Sequence, residues 1–343
     1  PSARSPTSAS APPHAAAPPT TADKLPAQLP PPRRSLVPVE RNQRVGLQAA
    51  LFAYTAWGLL TIYWKQLAHL DPFEMIGWRI LSASLLMLVI TAARGRLGRI
   101  RAAFADPRTR TRIVSAAVML TINWTSYVWA VGDGRVVETA LGYFLAPLGT
   151  IAIGATVLGE SLSILQRASV VSALVAVAVL TAANGRVPWL ALVIAATWTG
   201  YGALKRGVPL GPTDSFTSEL VVVLAPALVI AGSGWFRDGG VASEASAVDW
   251  VLIAGTGVIT ATPLVLFAFA APRVPFTLLG PANYLVPAIN FLLGWLVWDE
   301  AMPTSRFVGF AFVWLALALV TVHTFRAERT ATRPVVAGEP ATT

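Results

Sequence analysis

The chain has 343 residues, 55% of them hydrophobic and only 13% charged, with a mean hydropathy of +0.60. A soluble domain carries ~25% charged residues, so the composition excludes an ordinary soluble protein and reads as an integral membrane protein. With no Cys, disulfides and thiolate metal sites are excluded, and His14, His69 and His323 lie far apart in sequence and form no metal-ligand spacing.

The chain opens on Pro1 rather than Met, as a trimmed start would leave it. Residues 1–45 are rich in Pro, Ala, Ser and Thr and poor in large apolar side chains. Such a segment cannot bury enough surface to offset its ordering entropy, so a disordered tail is predicted. It lacks the continuous apolar core of a signal peptide. From Gly46 onward, apolar runs alternate with short polar breaks. A spanning helix needs ~20 mainly apolar residues. Ten spans are predicted, at 46–66, 73–93, 112–132, 136–158, 163–183, 187–205, 216–234, 249–271, 275–298 and 304–325. The last two apolar runs before 300 are separated only by Pro272 to Pro275, where two prolines argue for a turn.

Alternate breaks form two sets. One holds the arginines of 33–44, 94–112 and 326–333, with Arg167, Lys205, Arg206 and Arg273. The other holds Lys65, Arg135, Arg186, Arg237 and Arg306. By the positive-inside rule both termini, including a tail at 327–343, are cytoplasmic. The net charge of +9 is therefore a topology signal, and no nucleic-acid partner is expected.

Residues 135–165 recur in thinned form. Pro147, Gly154 and Glu160 reappear as Pro287, Gly294 and Glu300, 140 residues later, and Lys65, Leu70 and Pro72 reappear as Lys205, Leu210 and Pro212. Leu141 breaks the pattern, with Pro281 at its matching position. The offset covers five spans, an odd number, so the second repeat (187–326) is inverted relative to the first (46–183). Inverted repeats are a common architecture of secondary transporters, with the solute site near midplane at the repeat interface. The expected fold is all-α and membrane-embedded, with ten helices in two inverted five-helix repeats.

Polar groups at membrane depth are costly and need partners or a watery cavity. Arg79 lies inside the second span and is either salt-bridged or substrate-facing. Glu138, at the start of the fourth, is either a helix-start charge or a cavity carboxylate that pairs with Arg79 or binds a proton. Asn123, Trp124, Tyr127, Tyr143, Asn283 and Tyr284 are candidates for an amphiphilic pathway, against the plainer reading of interfacial aromatic belts. Gly142, Gly154 and Gly294 are candidate close-packing positions, and Pro147 and Pro287 candidate kinks. No catalytic constellation and no phosphate-cradling loop is present, and neither a cofactor nor a metal is expected.

The stretch INWTSYVWAVGDGRVVETALGYFLAPLG (122–149) resembles the RarD family of EamA-type transporters in the drug/metabolite transporter superfamily. YTAWGLLTIYWK (54–65), EMIGWRILSAS (74–84), VPWLALVIAATWTGYGALKR (187–206) and TATPLVLFAFAA (260–271) extend the resemblance over roughly residues 46–326. It implies two inverted EamA repeats, an inner (plasma) membrane location and transport of a small metabolite or drug; a monomer or homodimer is expected. Ala146, Ala140 and Trp78 depart from the family's usual Asn, Ser and His, so its substrate does not transfer automatically. The expectation is secondary transport by alternating access, proton-coupled through Glu138. The alternative is a membrane scaffold or sensor on a degenerate transporter fold.

Overall fold

The computed structural model describes residues 37–157 and 159–331, so most of the expected N-terminal tail and residues 332–343 lie outside it. Among the described residues the protein is helical throughout, without strands. The helices are α1 (Val37–Gln66), α2 (Pro72–Ala93), α3 (Leu97–Ala105), α4 (Pro107–Gly132), α5 (Val136–Thr156) and α6 (Ile164–Asn184). There follow α7 (Trp189–Lys205), α8 (Pro212–Ser233), the single turn α9 (Val241–Glu244), α10 (Ala247–Ala270), α11 (Phe276–Asn283), α12 (Leu285–Leu292) and α13 (Thr304–Ala331).

Local chemistry sets the helix starts. Asp71 accepts the N–H groups of Phe73 and Glu74 ahead of α2, and Asp106 accepts that of Thr109 ahead of α4. In both, proline follows at the first helical position, where no N–H is needed. Ser163 and Ser246 open α6 and α10 in capping boxes. The Asp106 cap places the start of α4 upstream of the span expected at 112, and α8 begins at Pro212, upstream of 216. Residues 37–45, expected within the tail, form the first turns of α1.

Eight described helices are long and apolar enough to cross a membrane: α1, α2, α4, α5, α6, α8, α10 and α13. Two of the ten expected spans differ. α7 has 17 residues, a length of about 26 Å at 1.5 Å per residue. The run expected at 275–298 is divided into α11, α12 and a π-turn over Leu293–Val297. Pro287 explains the division, because it has no N–H for the Asn283 carbonyl and its ring crowds that turn. Pro147, by contrast, lies within an α5 that continues through it.

The main packing pairs are α6 with α13, α2 with α8 and α10, α7 with α4 and α5, α1 with α10 and α12, and α5 with α12. Where backbones approach closely, only hydrogen fits. A Cβ on Gly142 would lie 2.8 Å from the Ile194 Cβ and 2.9 Å from the Ala191 carbonyl oxygen of α7. Leu85, Leu174, Val229 and Val251 face outward, as a hydrocarbon solvent allows. Met75, Ile80, Met87, Phe216 and Leu220 fill one core, and Phe144, Leu180, Phe291 and Phe310 another.

α5 and the α12–π unit end alike. Gly159 and Asp299 both adopt left-handed backbone, with φ of 67° and 51°. The next residues, Glu160 and Glu300, donate their N–H groups to Gly154 and Gly294 at 3.0 and 2.9 Å.

Candidate substrate site

Arg79, in the third turn of α2, is 5% exposed. Its Cζ lies 4.0 Å from the ring centre of Trp124 on α4 and 4.8 Å from that of Trp64 on α1. Its Nε and Nη1 are buried without hydrogen-bond partners, and it joins no ion pair among the described residues. Two indole faces return ~2 kcal/mol or a little more. Burying a cation costs several kcal/mol, so the protein alone leaves this charge undercompensated.

A neutral polar chain runs beside it. Asn123, fully buried on α4, donates through Nδ2 to the Ile194 carbonyl and to Thr197 Oγ1, both at 3.1 Å. Its Oδ1 accepts the Tyr143 hydroxyl at 2.9 Å. The Tyr143 ring meets Tyr127 and Trp198 edge-on, at 6.0 and 5.8 Å. The Tyr127 hydroxyl lies 2.5 Å from Thr61 Oγ1, which donates to Asn290 Oδ1 at 2.7 Å. Asn290 is fully buried and its Nδ2 has no partner. Arg79, Asn123, Trp124, Tyr127 and Tyr143 are thus brought into one cluster by α2, α4 and α5.

The remaining candidates lie elsewhere. Glu138 is in the first turn of α5, where Arg135 donates to its Oε2 through Nε and Nη2 at 3.0 and 2.7 Å. It pairs with Arg135 rather than with Arg79. Tyr284 packs against the cluster around Phe291 and Phe310, beside Thr321. Asn283 ends α11 at the break. Gly142 carries the α5–α7 contact, while Gly154 faces the Glu160 carboxylate and Gly294 faces Val137 and the Glu300 carboxyl. Pro287 lies in the first turn of α12, and Pro147 within α5.

Thr61, Trp64, Trp198 and Asn290 belong to the cluster but were not among the sequence candidates. Asn290 had a readable signal, as a lone amide in the apolar run VPAINFLLGWLV. A second polar group sits further along. Glu219, 1% exposed on α8, accepts from Lys205 Nζ at 2.9 Å, from the Tyr201 hydroxyl at 3.0 Å and from Ser215 at 3.0 Å. Trp198 stacks on Tyr201 at 5.7 Å and so links this group to Tyr143.

A cavity of about 210 Å³ is lined by Trp64, Leu67, Met75, Val128, Trp129 and Asp133. Trp64, which lines this cavity, is also the indole over Arg79. A second cavity of about 200 Å³ is lined by Glu138, Arg186 and Arg306 with Val137, Leu141 and Phe310. Neither includes Asn123, Tyr143 or Tyr284.

At the start of α5, Glu300 accepts the N–H groups of Val136 and Val137, at 2.5 and 2.9 Å. Burial holds its carboxyl above the ordinary carboxylate range, although those N–H donors and Arg306 and Lys65 pull it down. Glu74, 1% exposed, accepts from Arg237 and from the Val241 N–H. Asp214 is equally buried but meets Arg96 and Arg99 only at 3.8 and 4.0 Å.

The sequence model of the EamA-like transporter family matches residues 44–182. Protein RarD of Streptomyces exfoliatus is 38% identical over 308 residues, covering 88% of this chain and 96% of its own. An uncharacterized transporter of Pseudomonas aeruginosa is 32% identical, covering 85% and 98%. Protein RarD of Escherichia coli is 28% identical, covering 84% and 98%. A crystal structure at 19% identity shares the fold, with a TM-score of 0.52 over 84% of this chain and 99% of that one. With its apolar helices and these relatives, the chain is a multi-pass membrane protein of the RarD family, EamA-type transporters in the drug/metabolite transporter superfamily.

Proposed function

We propose that the protein is a secondary active transporter that moves a small metabolite or drug across the plasma membrane. It works by alternating access between two inverted repeats of five helical units, α1 to α6 and α7 to α13, with both termini cytoplasmic. The observation that carries this reading is that the helix packing maps onto itself when each residue is shifted by 140. The pair α5–α7 corresponds to α12–α1, α4–α7 to α10–α1, and α2–α10 to α8–α4. The pairs α6–α13, α2–α8 and α5–α12 correspond to themselves. Glu74 and Asp214 are equivalent under this shift, as are the left-handed residues Gly159 and Asp299.

The two halves then differ where a transporter's two gates would differ. Glu300 is seated on the N-terminus of α5, whereas its counterpart Glu160 is exposed. Glu74 is tightly held and Asp214 loosely. A difference of this kind between the two ends is the asymmetry that alternating access requires.

Proton coupling is part of the proposal, and Glu219 suits it better than Glu138. Glu219 is buried beside Lys205 and is linked to Tyr143 through aromatic rings. The test is solute uptake into proteoliposomes under an imposed pH gradient. Glu219→Gln should abolish the gradient's effect while Glu138→Gln keeps it. Equal gradient-driven uptake by Glu219→Gln and wild type would refute the coupling, and absence of uptake under any gradient would refute transport.

A further inference from the structure

We propose that the Arg79 guanidinium, between the indoles of Trp64 and Trp124, binds the charged group of the transported solute, which is a small organic monoanion. The favoured form is a carboxylate on a flat, apolar body. This rests on the transporter reading and adds the substrate class to it.

The first argument is charge. Among the described residues each deeply buried acid already has partners: Glu74 has Arg237, Glu219 has Lys205, Asp214 has Arg96 and Arg99, and Asp249 has Ser246 and His69. Arg79 has no ion pair among the described residues, and removing a cation from water without a counter-charge is strongly unfavourable. The second is donor balance. The vacant hydrogen-bonding atoms of the cluster are donors, namely Nε and Nη1 of Arg79, Nε1 of Trp64 and Nδ2 of Asn290. Asn290 is joined to Tyr127 through Thr61, and Tyr127 lies one turn beyond Trp124, the α4 indole against which Arg79 is held. A guanidinium with free edge donors matches a carboxylate.

The third argument is shape. The rings of Trp64, Trp124, Tyr127 and Tyr143 give flat apolar walls. A single cation also selects against a dianion, whose second charge would enter unpaired. Trp64 both covers Arg79 and lines the adjoining cavity, so its rotation would open a path to the guanidinium.

The test uses the full chain in nanodiscs with benzoate, its neutral isostere benzamide, and benzylamine. Intrinsic Trp fluorescence and thermal unfolding are the readouts. Benzoate should quench fluorescence and raise the Tm saturably, at concentrations at least tenfold below those at which benzamide or benzylamine acts. Arg79→Gln should abolish the benzoate response, and Arg79→Lys should weaken it while retaining its preference for the anion. Without any solute, Arg79→Gln should raise the Tm, since it removes an uncompensated charge; a structural Arg79 would lower it. Equal responses to benzoate and benzamide, a benzoate response intact in Arg79→Gln, or no saturable response to benzoate would each overturn the proposal. Uptake of benzamide or benzylamine into proteoliposomes, unimpaired by Arg79→Gln, would overturn the anion class and leave the transporter reading standing. Binding of benzoate without uptake of any of the three would do the reverse.

Discussion

Removing the Glu300 side chain should destabilise the protein, while removing Glu160 from the matching position should leave it nearly unchanged. Glu300 accepts two N–H groups at the start of α5. No other side chain caps that helix, because Arg135 at its N-cap position offers no acceptor. Each buried donor left unsatisfied costs ~1–3 kcal/mol. Glu300 is only partly buried, so water reaches the site and the lower figure applies to each donor, giving about 2 kcal/mol for Glu300→Ala. For a chain of this size that corresponds to a fall in Tm of about 3 °C. Glu300→Gln keeps an acceptor oxygen and should lose less than half as much. Thermal unfolding in detergent, wild type against Glu300→Ala, Glu300→Gln and Glu160→Ala, reads this directly. A Glu300→Ala midpoint equal to wild type, or an equal loss in Glu160→Ala, would refute the reasoning. The pH dependence has a definite sign. Because burial raises the Glu300 carboxyl above 4.5, the folded protein keeps a proton that the unfolded chain has released. Its contribution is complete below pH 4.5 and declines as pH rises through the folded value, and Glu300→Gln should remove that slope.

Gly142→Ala puts a methyl 2.9 Å from the Ala191 carbonyl oxygen, which cannot move aside without shifting α7. Overpacking costs ~1–3 kcal/mol against at most ~1 kcal/mol gained in helix propensity, so Gly142→Ala should lower the Tm. Gly98→Ala in α3, with nothing within 4 Å, should not. Lys205→Met leaves Glu219 buried without its cation; a loss of about 3 kcal/mol is expected. Adding Glu219→Gln should recover more than half of the lost Tm.

The apolar spans and the 140-residue offset were legible because both rest on residue type along one chain. Less legible was what depends on neighbours. Thr61 is one threonine in an apolar run, and only the approach of α4 and α12 makes it the link between Tyr127 and Asn290. Glu138 reads either as a helix-start charge or as a cavity carboxylate, and only the fold shows Arg135, three residues earlier, turning back to pair with it. The length of α7 and the division at Pro287 depend on where each helix stops, and hydropathy does not register that. The offset itself hid its most informative positions. Arg79 and Glu219 are equivalent by number but opposite in charge, so matching by identity passes over them. Under the proposed repeat, one position carries a cation without an ion pair among the described residues, and the other a Lys–Glu pair.

The most direct test of alternating access uses the absence of native Cys, which makes any introduced thiol the only one. Asn290→Cys places it at a fully buried position of the cluster. A membrane-impermeant thiol reagent is then applied to right-side-out and to inside-out vesicles. Labelling from both faces, slowed by a bound solute in each case, is the predicted result. Labelling from one face alone, or from neither, would contradict a site that opens alternately to the two sides.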